Sequence, residues 1–190
     1  MSRRTDLAAF PRLETKRLIL REMQAEDAGA IFQLFSDEEV MRYRDVMAFT
    51  HLEEAQHFLE VALARYERGE ETHWAITLKG EDALIGCCGY SWHLGPHFGA
   101  IGYDLARLYW KRGIMTEAVR ALLRFGFEVR RLHRIEARVR QGNETSMRLL
   151  RRLGFQEEGL LRECLFLNHS FYDVKVFSLL AGEYTRMEET

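Results

Sequence analysis

The sequence predicts an α/β fold in the α+β sense, a mixed and mostly antiparallel sheet of about seven strands with about four helices. Three observations predict it. Short apolar stretches suited to strands are interleaved with longer ones whose apolar residues recur at helical intervals. Two of the strand-like stretches are separated only by "KGED", a hairpin turn. A strand, a Gly-containing turn, an amphipathic helix and another strand then follow one another between residues 99 and 139. That order makes a β-α-β unit whose strands run parallel through a right-handed crossover.

The elements read in order as follows. "KRLILRE" (16–22) is a short strand, and "AEDAGAIFQLFSD" (25–37) is a helix with Glu26 and Asp27 where the dipole favours acids and a buried stripe of Ile31, Leu34 and Phe35. The next helix has Thr50 and Glu53 at capping-box spacing, Ala55, Phe58, Leu59, Ala62 and Tyr66 at helical intervals, and Gly69 as its stop. "HWAITL" (73–78), "ALIGCCGYSWH" (83–93) and "GAIGYDLA" (99–106) form an antiparallel run. After the turn at Lys111-Arg112-Gly113, a helix carries Met115, Val119, Leu122, Leu123 and Phe127 on one face. "HRIEARV" (133–139) is the parallel strand. A helix starting near Asn143 buries Met147, Leu150 and Leu153 and stops at Gly154, and two strands joined by "NHS" close the chain. All of this fits a single domain over residues 1–190 with its core at about 13–180.

Composition narrows the function. With 47 % hydrophobic and 29 % charged residues and two prolines, the chain is that of a globular protein rather than a disordered or fibrous one. No apolar run reaches the roughly 20 residues of a membrane span, and the opening "MSRRTDLAAFPRL" has no secretory hydrophobic region, so a cytoplasmic protein is expected. Cys87, Cys88 and Cys164 form no disulfide framework and read as packing residues. His93 and His97 are four apart, but Gly95 and Pro96 forbid a helix that would align them, so no metal is expected. Between Arg107 and Arg152 thirteen Lys or Arg face four Glu. Such a basic segment is either solvated helix surface or a surface for a polyanion such as a nucleic acid or a phosphorylated cofactor.

The turn before the helix at 114 is a candidate anion site, although a single Gly after two basic residues is by spacing alone an unspecific signal. Free N–H groups and the helix dipole at such a start hold an anion without requiring any particular side chain. Gly113 gives backbone freedom, Lys111 and Arg112 add charge, and Thr116 adds a hydroxyl, so a pyrophosphate would fit. Neither a Walker A sequence nor a complete G-x-G-x-x-G fingerprint is present.

Four stretches, "RLILREMQAEDAGAIFQLFSDEEVMRYR", "AIGYDLARLYWKRGIMTEA", "HRIEARV" and "NETSMRLLRRLGFQEEGLLRE", resemble in order and spacing the GCN5-related N-acetyltransferases (GNAT). More narrowly, they resemble the RimJ/RimL branch, which acetylates the N-termini of ribosomal proteins. The resemblance runs from about Leu13 to Leu180. It implies that the strands at 99–106 and 133–139 splay apart to admit the pantetheine arm of acetyl-CoA. It further implies that the backbone N–H groups of Lys111, Arg112, Gly113, Ile114, Met115 and Thr116 hold the pyrophosphate, and that the backbone N–H of Leu105 faces the thioester carbonyl, where it would stabilise a developing oxyanion. Asn143 and Ser146 match the branch's N-x-x-S helix start, with Asn on the pantetheine and Ser beside the sulfur. The same two residue types are also common helix caps.

The sequence departs from the family at several positions. Gly is usual where Lys111 stands, and Gly or Ala where Met115 stands. Carboxylates that serve as base in relatives fall here on Leu165 and Ala100. Glu163, two residues before Leu165 and on the same strand face by alternation, is either a candidate base or an ordinary surface Glu; Asp173 occupies a position that is often acidic and reads equally as a structural hydrogen-bonder. An α-amine with a pKa near 8 is partly neutral without any base. The resemblance implies direct transfer of acetyl from acetyl-CoA to an amine, with the acceptor bounded by Met41 to Asp45 and by the last two strands. A protein N-terminus is the leading acceptor. A polyamine or aminoglycoside is the alternative within the same class, and a non-catalytic acyl-CoA-binding sensor the alternative outside it. No nucleic-acid motif, membrane partner or metal is expected, and a homodimer is a state open to this branch.

Overall fold

The computed structural model describes residues 9–188 apart from 93, 94 and 96. His93 and Pro96, considered above for a metal site, lie outside the described residues. β1 (Leu13–Glu14) and β2 (Leu18–Glu22) lead through a 3-10 turn into α1 (Ala28–Phe35), α2 (Glu38–Met41) and α3 (Leu52–Glu67). β3 (Glu71–Leu78), β4 (Leu84–Ser91) and β5 (Phe98–Leu105) follow, then α4 (Ile114–Arg124) and β6 (Arg134–Arg140). α5 (Glu144–Arg152), β7 (Gln156–Leu167), β8 (Ser170–Leu180) and α6 (Ala181–Glu188) complete the order. The expected strands and helices are all present, joined by three elements too short or too terminal to read from periodicity: β1, α2 and α6.

The strands form one open sheet in the order β1-β2-β3-β4-β5-β6-β8-β7, antiparallel except for β5 and β6. Each face buries its own core, because strand residues alternate sides. Ile101 and Leu105 of β5 and Ile135, Ala137 and Val139 of β6 pack with Ile114, Met115, Val119 and Leu122 of α4 and with Met147 and Leu150 of α5. On the opposite face Ala75 and Cys87 pack with Ile31, Leu34 and Phe35 of α1 and with Ala55, Leu59 and Ala62 of α3. Ala100, Gly102 and Asp104 therefore look toward the side of α1 and α3.

Two local details differ from expectation. The start of α3 is capped one residue later than Thr50 and Glu53 suggest: His51 is the N-cap residue, and Glu54 accepts from the backbone N–H of Thr50 at 2.6 Å and of His51 at 2.8 Å. α4 does not simply stop but widens into a π-helical turn, Phe125–Val129. That turn brings Gly126 against Tyr90, whose hydroxyl donates to the carbonyl of Leu122 at 2.8 Å.

Candidate active site

β5 and β6 are paired at Phe98↔Arg134, Gly99↔Ile135 and Ala100↔Glu136 and nowhere beyond. From Ile101 onward β5 stays with β4, while β6 stays with β8 through Arg140↔Val174. The two central strands thus diverge and leave a wedge open toward the C-terminal end of β5. β5 leads into the turn before α4, and β6 into the turn before α5, so each strand runs on toward its own helix.

At the mouth of the wedge, Gly113 is the N-cap of α4 in the left-handed conformation, φ 72°, with no side chain capping the helix. The first N–H groups of α4 are left for an anion. The turn is braced from behind: Arg17 donates through Nη1 to the carbonyl of Arg112 at 2.9 Å. Glu117 accepts from the Thr15 hydroxyl at 2.6 Å and from the backbone N–H of Arg17 at 2.8 Å. Burial raises the Glu117 carboxyl, but these hydrogen bonds and the Arg17 charge outweigh it and hold the group below its ordinary value. Ile114 and Met115 are buried, so the Met that replaces a family Gly or Ala points into the core. A cavity lined by Lys16, Arg17, Gly113, Thr116, Arg120 and Arg152 continues the basic surface beside this turn.

Lys111, at a family Gly position, also has a left-handed backbone, φ 60°. That conformation costs a side-chain-bearing residue roughly 1–2 kcal/mol. Lys111→Gly is expected to stabilise the protein by up to about 1 kcal/mol, after the greater chain entropy of Gly is subtracted. Gly113→Val is expected to destabilise by about 1–2 kcal/mol and to raise the KM for acetyl-CoA. Paired thermal melts and acetyl-CoA titrations check the contrast; equal behaviour of the two variants would place the phosphate cradle elsewhere.

α5 supplies the inner wall. Asn143 is its N-cap, and Oδ1 accepts from the backbone N–H of Ser146 at 3.1 Å. The capping role is real, and it leaves the side-chain amide nitrogen for any contact with a ligand. Ser146 Oγ shares a hydrogen bond of 2.8 Å with Tyr103 Oη across the wedge, tying α5 to β5. Burial pushes the Tyr103 phenol up to about 12, so it stays protonated at neutral pH. The Leu105 side chain is buried and its carbonyl accepts from Trp110 Nε1 at 2.7 Å.

Glu163 is not placed by simple alternation. Pairing runs Leu161↔Val174 and resumes at Leu165↔Tyr172, so residues 162–164 bulge opposite Asp173. Glu163 has φ 49°, and its backbone N–H donates to Asp173 Oδ1 at 2.8 Å. Leu165 and Glu163 therefore do not share a face on the count of residues alone, and Asp173 serves as a backbone clamp. Cys87 and Cys88 are buried with their thiols pushed up, first by burial; Cys164 is exposed. Among the described residues, no group of three or more His, Cys, Asp or Glu is gathered as a metal site requires, and no helix is long and apolar enough to cross a membrane.

On the α1–α3 side, the segment after α2 is anchored to both splayed strands. Arg140 of β6 donates to the carbonyl of Arg42 at 3.0 Å, and its guanidinium lies 3.4 Å from the Tyr172 ring centroid and 6.0 Å from that of Tyr43. Arg44 reaches the other strand, with Nη1 3.3 Å from Asp104 Oδ2. Tyr103, Asp104 and Arg44 were not found from sequence motifs. The adjacent pair Tyr-Asp at the end of a strand was the available signal, since neighbours in a strand face opposite sides.

A wedge between two parallel strands, an uncapped helix start and a hydroxyl pair between them make up the site. The profile of the acetyltransferase (GNAT) domain family matches residues 17–156. The chain belongs to the GNAT family. It is 39 % identical over 173 residues to the N-acetyltransferase p20 of Bacillus licheniformis, covering 90 % of this chain and 97 % of that protein. It is 25 % identical over 180 residues to the ribosomal protein uS5 alanine N-acetyltransferase of Escherichia coli, covering 92 % and 93 %. A GNAT acetyltransferase structure from Bacillus anthracis superposes with TM-score 0.83 at 26 % identity, covering 91 % of this chain and all of the other, 100 %. RimL in complex with coenzyme A superposes with TM-score 0.79 at 21 % identity, covering 90 % and 98 %, which bears on the fold. As a GNAT enzyme, the protein is an acetyl-CoA-dependent N-acetyltransferase. The wedge and the uncapped turn suit that cosubstrate: a pantetheine arm can lie where β5 and β6 lack each other, and a pyrophosphate can take the free N–H groups at Gly113 to Thr116.

Proposed function

We propose that this N-acetyltransferase moves the acetyl group of acetyl-CoA directly to a protein N-terminal α-amine, as ribosomal-protein acetyltransferases do. The carrying observation is the resemblance over nearly the whole chain to the ribosomal protein uS5 alanine N-acetyltransferase. The putative ribosomal N-acetyltransferase YdaF of Bacillus subtilis, 38 % identical over 84 residues, supports the same acceptor class. In this reading the N–H groups from Lys111 to Thr116 hold the pyrophosphate, Asn143 steadies the pantetheine, the Leu105 N–H meets the carbonyl oxygen, and Ser146 gives a proton to the departing sulfur. The acceptor enters on the face bounded by Arg42 to Asp45 and by the Arg140–Tyr172 stack.

The reaction needs no covalent enzyme intermediate. The thiols of Cys87 and Cys88 on β4 are buried and pushed up by that burial, which keeps them protonated and poor nucleophiles. The nitrogen attacks the thioester carbon, the oxyanion is met by a backbone donor that is already oriented, and the carbon–sulfur bond breaks.

Acetyl-CoA at about 100 times its Kd is expected to add roughly 2.7 kcal/mol of stability. For a chain of this length that is a rise in Tm of about 5–10 °C. Thermal melts with acetyl-CoA, followed by thiol release on incubation with N-terminal peptides, check both halves. Acetylation of polyamines or aminoglycosides but of no peptide would overturn the acceptor, and the lack of any melting shift would overturn the cofactor site.

A further inference from the structure

We propose that Asp104 is a catalytic residue, the carboxylate that receives the acceptor's ammonium group and takes its proton, and that Arg44 is a positioning residue that keeps Asp104 ionised. The inference rests on the acetyl-transfer reading above and supplies the base which that reading leaves open.

The argument begins with the strand. Ile101 and Leu105 enter the core under α4, and Tyr103 turns to Ser146 of α5, so Asp104 projects on the other side. That is the side on which the Arg42–Asp45 segment folds over the splayed strands, and the one left for an acceptor when the cofactor takes the α4–α5 side. Asp104 also lies in the part of β5 that β6 no longer accompanies, directly before Leu105. A carboxylate at this point stands beside the place where the thioester carbonyl would lie.

The contacts of Asp104 are those of an unfinished ion pair. Its side chain is only 8 % exposed, and Arg44 comes nearest to it at 3.3 Å, from Nη1 to Oδ2. Arg44 Nε is buried without a hydrogen-bond partner among the described residues. The Cys87 thiol, 3.9 Å away, also falls on Oδ2, and no described residue donates to Oδ1. A structural Arg–carboxylate pair at such depth is normally bidentate and fully satisfied. Here one carboxylate oxygen is left for a donor that the protein does not provide, and an ammonium group is such a donor.

The surrounding charges set the titration. Burial raises the Asp104 carboxyl most; Asp45 of the loop raises it further, while Arg44 and His73 of β3 lower it and Cys87 of β4 contributes weakly. The net effect is a carboxyl raised above its ordinary value, which brings it nearer to an amine in proton affinity.

The step balances as follows. The ammonium gives one proton to Asp104 Oδ1, and its freed lone pair forms the bond to the thioester carbon. The carbon–sulfur bond breaks with its electrons on sulfur, and the thiolate takes a proton from the Ser146–Tyr103 pair. A second proton from the nitrogen replaces the one given up there, and the proton on Asp104 passes to solvent. One proton is released per acetyl group moved.

The test uses Asp104→Asn, Asp104→Glu and Arg44→Gln in the full chain, with an alanine-initiated peptide and, in a second arm, spermidine as acceptors. Asp104→Asn is expected to lower kcat/KM for the amine by at least about 10²-fold while the melting shift with acetyl-CoA is kept. Asp104→Glu is expected to recover at least about tenfold of that loss. The parent should show a bell-shaped kcat/KM profile that falls above the amine's pKa, whereas the Asn variant should rise to a plateau. Arg44→Gln removes a positive charge, so the acid limb should move to higher pH. An Asn variant within about threefold of the parent and with the same profile would overturn the proposal. So would a loss of stability and of acetyl-CoA binding in step with the loss of rate, which would make the pair structural. An acceptor other than a peptide would overturn the acceptor reading alone, because the comparison then runs on that amine.

Discussion

Ser146→Ala is expected to lower turnover by at least about tenfold, and Tyr103→Phe by a similar factor, with acetyl-CoA affinity little changed. The reason is their shared hydrogen bond of 2.8 Å. A departing thiolate is stabilised by a hydroxyl proton aimed at it, and the Ser146 hydroxyl can aim outward only if its oxygen is held by another donor. Tyr103 is suited to that, since burial keeps its phenol protonated. Because the two act as one unit, the double variant should be hardly worse than the weaker single variant. Single-turnover measurements separate this from product release. If Tyr103→Phe is silent and Ser146→Ala is not, the serine acts alone with water; if both are silent, Ser146 is a residue of the helix start and nothing more.

Gly126→Ala is expected to destabilise strongly, by about 3–5 kcal/mol, which sums an overpacking cost and the loss of a buried hydrogen bond. A methyl group at Gly126 would overlap the Tyr90 hydroxyl and stand 2.8 Å from Ile135 Cδ1. Tyr90 cannot retreat: it is fully buried, stacked on Trp92 with ring centroids 4.7 Å apart, and bonded to the Leu122 carbonyl. Differential melting should show a fall of roughly 10 °C. Gly29→Ala is the control, because a methyl there, within α1, meets nothing within 4 Å. That change should stabilise by about 0.5–1 kcal/mol, through helix propensity alone.

The contrast between those two glycines shows what a sequence reading can reach. The strand, turn and helix around Gly113 are local, and each is written in residues close in sequence, so the turn and the start of α4 were legible. The hairpin turn and the apolar stripes of α1, α3, α4 and α5 were legible for the same reason. Tyr103 and Asp104 acquire meaning only from Ser146 and Arg44, residues distant in sequence, and the side each faces depends on which core β5 joins. Glu163 shows the opposite failure. Alternation was applied across a bulge, and a single left-handed residue there breaks the count on which the face assignment rests. β1, α2 and α6 escaped because two to eight residues carry too little periodicity to announce themselves.

The seam between β5 and β6 has a mechanical consequence. With only three rungs in common, strands β1 to β5 and strands β6 to β8 make two plates joined within the sheet by a short weld, and outside it by the crossover through α4, the core they share and the Ser146–Tyr103 hydrogen bond. A ligand that lies in the gap touches both plates, so it acts as a brace against their opening as well as a reagent. Amides of Ile101 to Leu105 that point away from β4 sit on the free lip of the first plate, where such a brace would lie.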